Sequence, residues 1–144
     1  MGTWSVDARS RLAAAGQRVG AARAEVIDFL DAQDCCRGAQ EIHDALAARG
    51  SRIGLASVYR AVESLVACGA ALRVDVGDGI ARYEPARMGH GHHHHLVCEG
   101  CGKLEPFHDA ELERAIEAVE RGTGYAVATH DVVLRGACSD CRAA

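Results

Sequence analysis

The sequence predicts an α+β protein in two parts: a winged helix-turn-helix over residues 1–85 and a small α/β domain over 92–144 with a four-cysteine zinc site, joined by a hinge over 86–91. Three observations lead there. Apolar residues recur at helical spacing as far as Cys68 and then switch to period two. Pro85 to Gly91 carries proline and two glycines without apolar periodicity. Two Cys-x-x-Cys pairs, Cys98/Cys101 and Cys138/Cys141, bracket the last third of the chain.

Each element follows from its own pattern. From Ala21 to Gln33, Val26, Phe29 and Leu30 form one helical stripe; from Ala39 to Arg49, Ile42, Ala45 and Leu46 form a second, stopped by Gly50. From Leu55 to Cys68, Val58, Val62, Leu65 and Val66 line one side, and Gly69 ends the helix. The short connector 50–54 suits a helix-turn-helix. Leu72, Val74 and Val76 then alternate with Arg73 and Asp75, Gly77-Asp78-Gly79 turns, and Ile80 to Glu84 returns as a wing hairpin. In the second part, His92 to Cys98 reads as a strand, Glu99-Gly100 as a knuckle and Lys103 to Phe107 as the returning strand. Asp109 caps a helix striped by Leu112, Ile116 and Val119 and ended by Gly122. Tyr125 to Arg135 alternates as a last strand, with Ala126, Ala128, His130, Val132 and Leu134 on one face.

Composition limits the function classes. No apolar run approaches the ~20 residues of a membrane span, and no signal-peptide pattern follows the N-terminus. Seven cysteines in metal-ligand spacing fit a reducing cytoplasm better than a disulfide scaffold. The formal charge is −4. Residues 1–85 are near neutral, with ten Arg against eleven Asp/Glu, so DNA contact needs a local basic face. No serine sits in a nucleophile elbow, and neither a catalytic residue nor a small-molecule substrate is expected. A zinc hydrolase built on Glu99 or Glu105 would need an open coordination position.

The four cysteines suit structural Zn²⁺, because two thiolate knuckles close a tetrahedron; two disulfides are the competing reading. On a strand, His92 and His94 point one way and His93 and His95 the other, so the run serves two metal sites rather than one. A solvated polyhistidine stretch is the plain alternative. Glu113, at the edge of its helix stripe, joins His92, His94 and His130 as a plausible nitrogen/oxygen ligand set. Taken singly, Glu113 reads as a solvated carboxylate and His130 as a core histidine. Glu84 ends the wing. Cys35 reads as a small buried hydrophobe, and Cys36 is open to that reading or to ligation.

Gly54-Leu55-Ala56-Ser57-Val58-Tyr59-Arg60, the run His92 to Lys103, His130 and Cys138-Ser139-Asp140-Cys141 together closely resemble the ferric uptake regulator family, most of all its zinc uptake regulator branch, over residues 10 to 141. The resemblance implies an N-terminal DNA-binding domain, a C-terminal dimerisation domain and a metal-dependent repressor. It places Cys98, Cys101, Cys138 and Cys141 at the structural zinc, and His92, His94, Glu113 and His130 at a site in the dimerisation domain. His93 and His95 match the hinge regulatory site, with Glu84 as the wing carboxylate and Cys36 where iron-type members carry a histidine. The chain departs from the pattern at Ala86 and Arg87, where zinc-type members place a cysteine; His90 is the substitute there. It also lacks the Thr and Gln common between Arg18 and Arg23.

The expectation is a cytoplasmic homodimer that binds palindromic operator DNA when loaded with regulatory Zn²⁺ and controls metal uptake genes. Ser57, Tyr59 and Arg60 would meet the groove, and Arg18 and Arg23 the phosphates. An Fe²⁺, Ni²⁺ or Mn²⁺ regulator, or a peroxide sensor, of the same family is the nearest rival. A zinc storage or chaperone protein without DNA binding is the rival of a different class.

Overall fold

The computed structural model describes residues 2–87 and 93–143. The chain divides into two compact units, Met1–His90 and Gly91–Ala144. The first contains α1 (Thr3–Ala14), α2 (Ala21–Asp31), β1 (Arg37–Gly38), α3 (Ala39–Ala48), α4 (Leu55–Ala67), β2 (Ala71–Val74) and β3 (Arg82–Pro85). The second contains β4 (His94–Cys98), β5 (Leu104–Phe107), α5 (Ala110–Thr123), β6 (Val133–Gly136) and α6 (Ser139–Ala143).

In the first unit the helical stripes meet in one core. Leu12, Val26, Ile27, Leu30, Ile42, Val58, Val62 and Leu65 are fully buried. The Gly38 N–H donates to Glu41 Oε2 at 2.6 Å, which closes the start of α3. Gly50 and Gly69 take left-handed φ values of 89° and 72° just past α3 and α4, as helix terminators do. The hairpin β2–β3 is antiparallel, with Leu72 opposite Glu84 and Val74 opposite Arg82. An Arg82–Asp78 ion pair at 2.8 Å braces its turn.

Two elements were not foreseen. β1 is a two-residue strand that pairs with β3, too short to show a period. α1 buries Trp4, Ala8 and Leu12 at four-residue spacing, but alanine at the middle position and charge on either side weaken the stripe as a signal. Trp4 Nε1–H donates to the Ala70 carbonyl at 2.8 Å, tying the N-terminus to the chain entering β2.

The second unit holds the sheet β5-β4-β6, antiparallel between β4 and β5 and parallel between β4 and β6. Asp109 Oδ1 accepts from the Leu112 N–H at 2.8 Å, the expected helix cap. Three expectations need correction. α5 runs through Gly122 and ends at Gly124, whose φ of 73° makes it the terminator. The expected strand Tyr125 to Arg135 shrinks to Val133–Gly136, because an alternating segment becomes a strand only beside a hydrogen-bonding neighbour: Val133 pairs with His95, and β4 begins only one residue earlier, at His94. The strand expected from His92 begins at His94; His93 precedes it, and His92 lies outside the described residues. Among the described residues this unit buries only His94, His95 and Cys98, and no side chain of α5 is buried.

Replacing Trp4 by Phe removes the indole hydrogen bond to the Ala70 carbonyl, which keeps its second donor, the Ala86 N–H at 2.9 Å, so the first unit should lose about 0.5–1.5 kcal/mol. Urea unfolding followed by circular dichroism measures it, and an unchanged midpoint would contradict the anchoring role.

Candidate metal centres

The β4–β5 knuckle brings Cys98 and Cys101 together. Gly102 N–H donates to the Cys98 carbonyl at 2.8 Å, and Gly102 adopts a φ of 75° open chiefly to glycine. A Cβ on Gly100 would lie 3.0 Å from Cys141 Sγ, so the knuckle has little room for a side chain. β6, running parallel to β4, delivers Cys138 and then Cys141 on α6. The four Sγ atoms lie within 4.8 Å of one another, and Cys101 and Cys138 are 3.9 Å apart. A zinc–sulfur bond of about 2.3 Å implies a tetrahedral edge of about 3.8 Å. The donor set and its spacing fit a closed structural zinc site.

The electrostatics of the cluster are uneven. Backbone N–H groups of Cys138, at 3.3 Å, and of Cys101 point at Cys98 Sγ and lower its pKa to about 6. Cys141 is pushed up to about 12, first by hydrogen bonding with Cys98 and then with Cys138 and Cys101. Without metal, the first negative charge therefore settles on Cys98.

On the sheet's other donor set, Glu113 of α5 joins two imidazoles. His94 Nε2 lies 2.5 Å from Glu113 Oε1, and His130 Nε2 lies 2.8 Å from Oε2. Val132 N–H donates to His94 Nδ1 at 3.2 Å, and Phe107 packs against the His94 ring at 5.4 Å between centroids. Desolvation raises the Glu113 pKa, but hydrogen bonds from His94 and His130 outweigh it and hold the carboxyl below its usual range. All three offer donor atoms within 4.8 Å of one another. Two neutral imidazoles and a carboxylate suit a divalent cation of the zinc type. His92, assigned to the same set, lies outside the described residues.

The residues expected at the hinge divide between the units. In the first, Arg37 pairs with Tyr83, so one step back along the chain brings Cys36 level with Glu84; both are buried. Hydrogen bonding with Cys35 and burial raise the Cys36 pKa far above the usual thiol range. In the second unit the His93 and His95 rings stack edge-on at 5.0 Å. His90 lies outside the described residues.

On α4, Val58, Ala61, Val62 and Leu65 face the core, whereas Tyr59 is 43% exposed and Arg60 points outward, donating to Ser57 Oγ at 3.1 Å. Arg18 is exposed. Arg23 is engaged internally: its guanidinium donates to the Arg18 carbonyl, to Gln17 Oε1 at 2.8 Å and to Ser64 Oγ at 3.1 Å. It thus braces α2 against α4, a role sequence reasoning missed because Ser64 sits 41 residues away.

The model of the ferric uptake regulator family matches residues 14–135. The zinc uptake regulation protein of Mycobacterium tuberculosis is 38% identical over 133 residues, which span 91% of this chain and 99% of that protein. The ferric uptake regulation protein of Pseudomonas aeruginosa is 34% identical over 126 residues, covering 87% of this chain and 92% of the relative. The crystal structure of the Vibrio cholerae ferric uptake regulator superposes with a TM-score of 0.79 at 28% identity, covering 90% of this chain and 98% of that one.

Chelation of the four-thiol site should unfold the second unit while the first keeps its helices, seen as loss of one of two thermal transitions. Zinc affinity should also rise with pH through the neutral range: Cys98 is ionised above about 6, but Cys141, pushed up to about 12, must surrender its proton to the incoming ion. Competition titrations at several pH values measure this, and a flat profile would contradict it.

Proposed function

The chain belongs to the ferric uptake regulator family and is a metal-responsive transcription regulator rather than an enzyme; we propose that it is a repressor that binds palindromic operator DNA as a homodimer when loaded with regulatory zinc, controlling metal uptake genes. The observation that carries this reading is the presence of two unlike donor sets in one chain. Four thiols suit a permanently held zinc, whose apparent binding free energy in such sites is about 10–16 kcal/mol. The nitrogen and oxygen donors on separate elements suit a metal that comes and goes.

In this reading, residues 1–85 bind DNA, 86–91 form the hinge and 92–144 dimerise. Cys36 and Glu84 hold the regulatory ion from the DNA-binding side, and His93 and His95 from the other, with His90 as a further donor. His92, His94, Glu113 and His130 form the site within the dimerisation domain. When bound, the cation supplies a cross-link that selects one arrangement of the two domains. Moving a two-state hinge from about 1:99 to 99:1 takes roughly 5.5 kcal/mol of preferential binding.

The outward side of α4 supports the DNA reading. Ser57 and Arg60 address the major groove, and Tyr59 a phosphate or a thymine methyl. Arg18 meets the phosphate backbone, and Arg23 orients the helix besides any phosphate contact. A twofold dimer sets its reading helices about 34 Å, or a multiple of that turn, apart. Support for a dimer comes from apolar side chains left exposed in the second unit, with Val119 at 62% and Tyr125 at 75%, and from the alternating segment 125–131, which pairs with no strand among the described residues. Zinc is preferred over iron, nickel or manganese chiefly because the Mycobacterium tuberculosis relative is a zinc uptake regulation protein; the single Cys36 thiol leans only weakly the same way. The protein acts in the cytoplasm; among the described residues no helix is long and apolar enough to cross a membrane.

Retardation of a palindromic AT-rich duplex by chelator-treated protein, titrated with zinc, iron, nickel and manganese at buffered free concentrations, tests the reading. Zinc should restore binding at the lowest free concentration. His93→Ala should abolish the response while the dimer stays folded by sedimentation. Metal binding with no retention of any duplex would instead favour storage or delivery.

A further inference from the structure

Cys35 and Cys36 are adjacent, both buried, and their Sγ atoms lie 3.9 Å apart. Neighbouring residues on a regular strand send their side chains to opposite faces. Here Cys35 sits in a bend between α2 and β1, and the bend turns both sulfurs to the same side. Their separation equals the 3.9 Å between Cys101 and Cys138 in the four-thiol site and matches the edge of about 3.8 Å that two thiolates span on one zinc ion. The buried Glu84 stands one step along the β1–β3 pairing, level with Cys36.

We propose that Cys35 and Cys36 bind one thiophilic cation of the zinc class as a pair, so that Cys35 is a ligand of the regulatory site and sets its metal preference. This rests on the regulatory-site reading above and changes its chemistry. One thiolate among imidazoles and a carboxylate discriminates weakly between zinc and iron; two thiolates move the site towards soft and borderline cations and away from manganese and ferrous iron. On binding, each thiol releases its proton to solvent as the sulfur–metal bond forms, with no change of oxidation state. A packing role alone would leave Cys35 replaceable by any small apolar residue.

The test uses the full chain with its four-thiol site already filled by zinc, titrated with Co²⁺ as probe. The near-ultraviolet sulfur-to-cobalt charge-transfer band scales with the number of coordinating thiolates. Cys35→Ser and Cys36→Ser should each lower it about twofold, and the double variant should remove it. Excess Mn²⁺ should not displace the cobalt from the unaltered chain. Circular dichroism checks that the variants fold, and Cys35→Ala repeats the measurement without a buried hydroxyl. A full-strength band in Cys35→Ser or Cys35→Ala overturns the proposal. Operator retardation on the same samples separates the two readings. Metal-dependent DNA binding without the band sinks the thiol pair and spares the repressor. A two-thiolate band without metal-dependent DNA binding supports the pair and sinks the repressor.

Discussion

Four sulfur atoms, two from the β4–β5 knuckle and two from the chain that follows β6, converge within 4.8 Å of one another, and the second unit offers little else to stabilise it. Its sheet has three short strands, its helix α5 buries no side chain, and its buried set among the described residues is two histidines and one cysteine. A domain that small cannot bury enough apolar surface to offset the entropy of ordering its chain. The parallel register between β4 and β6, Leu96 beside Leu134 and Cys98 beside Gly136, is what sets Cys138 next to Cys98. The thiol cluster and the sheet therefore specify each other. A cation at the cluster supplies the cross-link that an aliphatic core supplies elsewhere.

The first unit has the opposite economy. Its helices meet in a continuous core from Trp4 to Tyr83, and that core fixes which side of α4 faces outward. Arg23 adds a polar brace through Ser64, whose hydroxyl in turn donates to the Arg60 carbonyl at 2.7 Å. The orientation of Tyr59 and Arg60 is thus a consequence of packing behind them. One unit is stable by burial, and the other, with so little buried, would depend on coordination, so metal supply would act on them unequally.

The legible parts of the chain were those with a strong local period or a spacing tied to chemistry. The helices now seen as α2, α3 and α4 and the wing hairpin follow their apolar stripes to within a few residues, because each stripe packs within its own unit. The Cys-x-x-Cys pairs were readable because a tetrahedral ion dictates ligand spacing. α1 was missed because alanine and charged residues dilute its stripe, and β1 because two residues carry no period. The last strand was read too long: alternation records a face, but hydrogen bonds need a neighbour, and the sequence does not say which edge is free. Cys35 is buried, as its reading as a small hydrophobe expects, but the 3.9 Å approach of its sulfur to Cys36 was not legible, because side-chain direction at a bend cannot be read from strand or helix periodicity.

Glu113 occupies an unusual position even before any ion arrives. Both of its oxygens are already engaged by His94 and His130, so the three donors form a closed, self-satisfied triangle. An incoming cation must first disrupt two charge-assisted contacts, which compete with it as a tethered occupant would. Such internal competition would lower the affinity of these three donors for any cation offered to them. The same arrangement leaves neither oxygen of Glu113 unmatched, so the local order of α5 against His94 and His130 needs no ion.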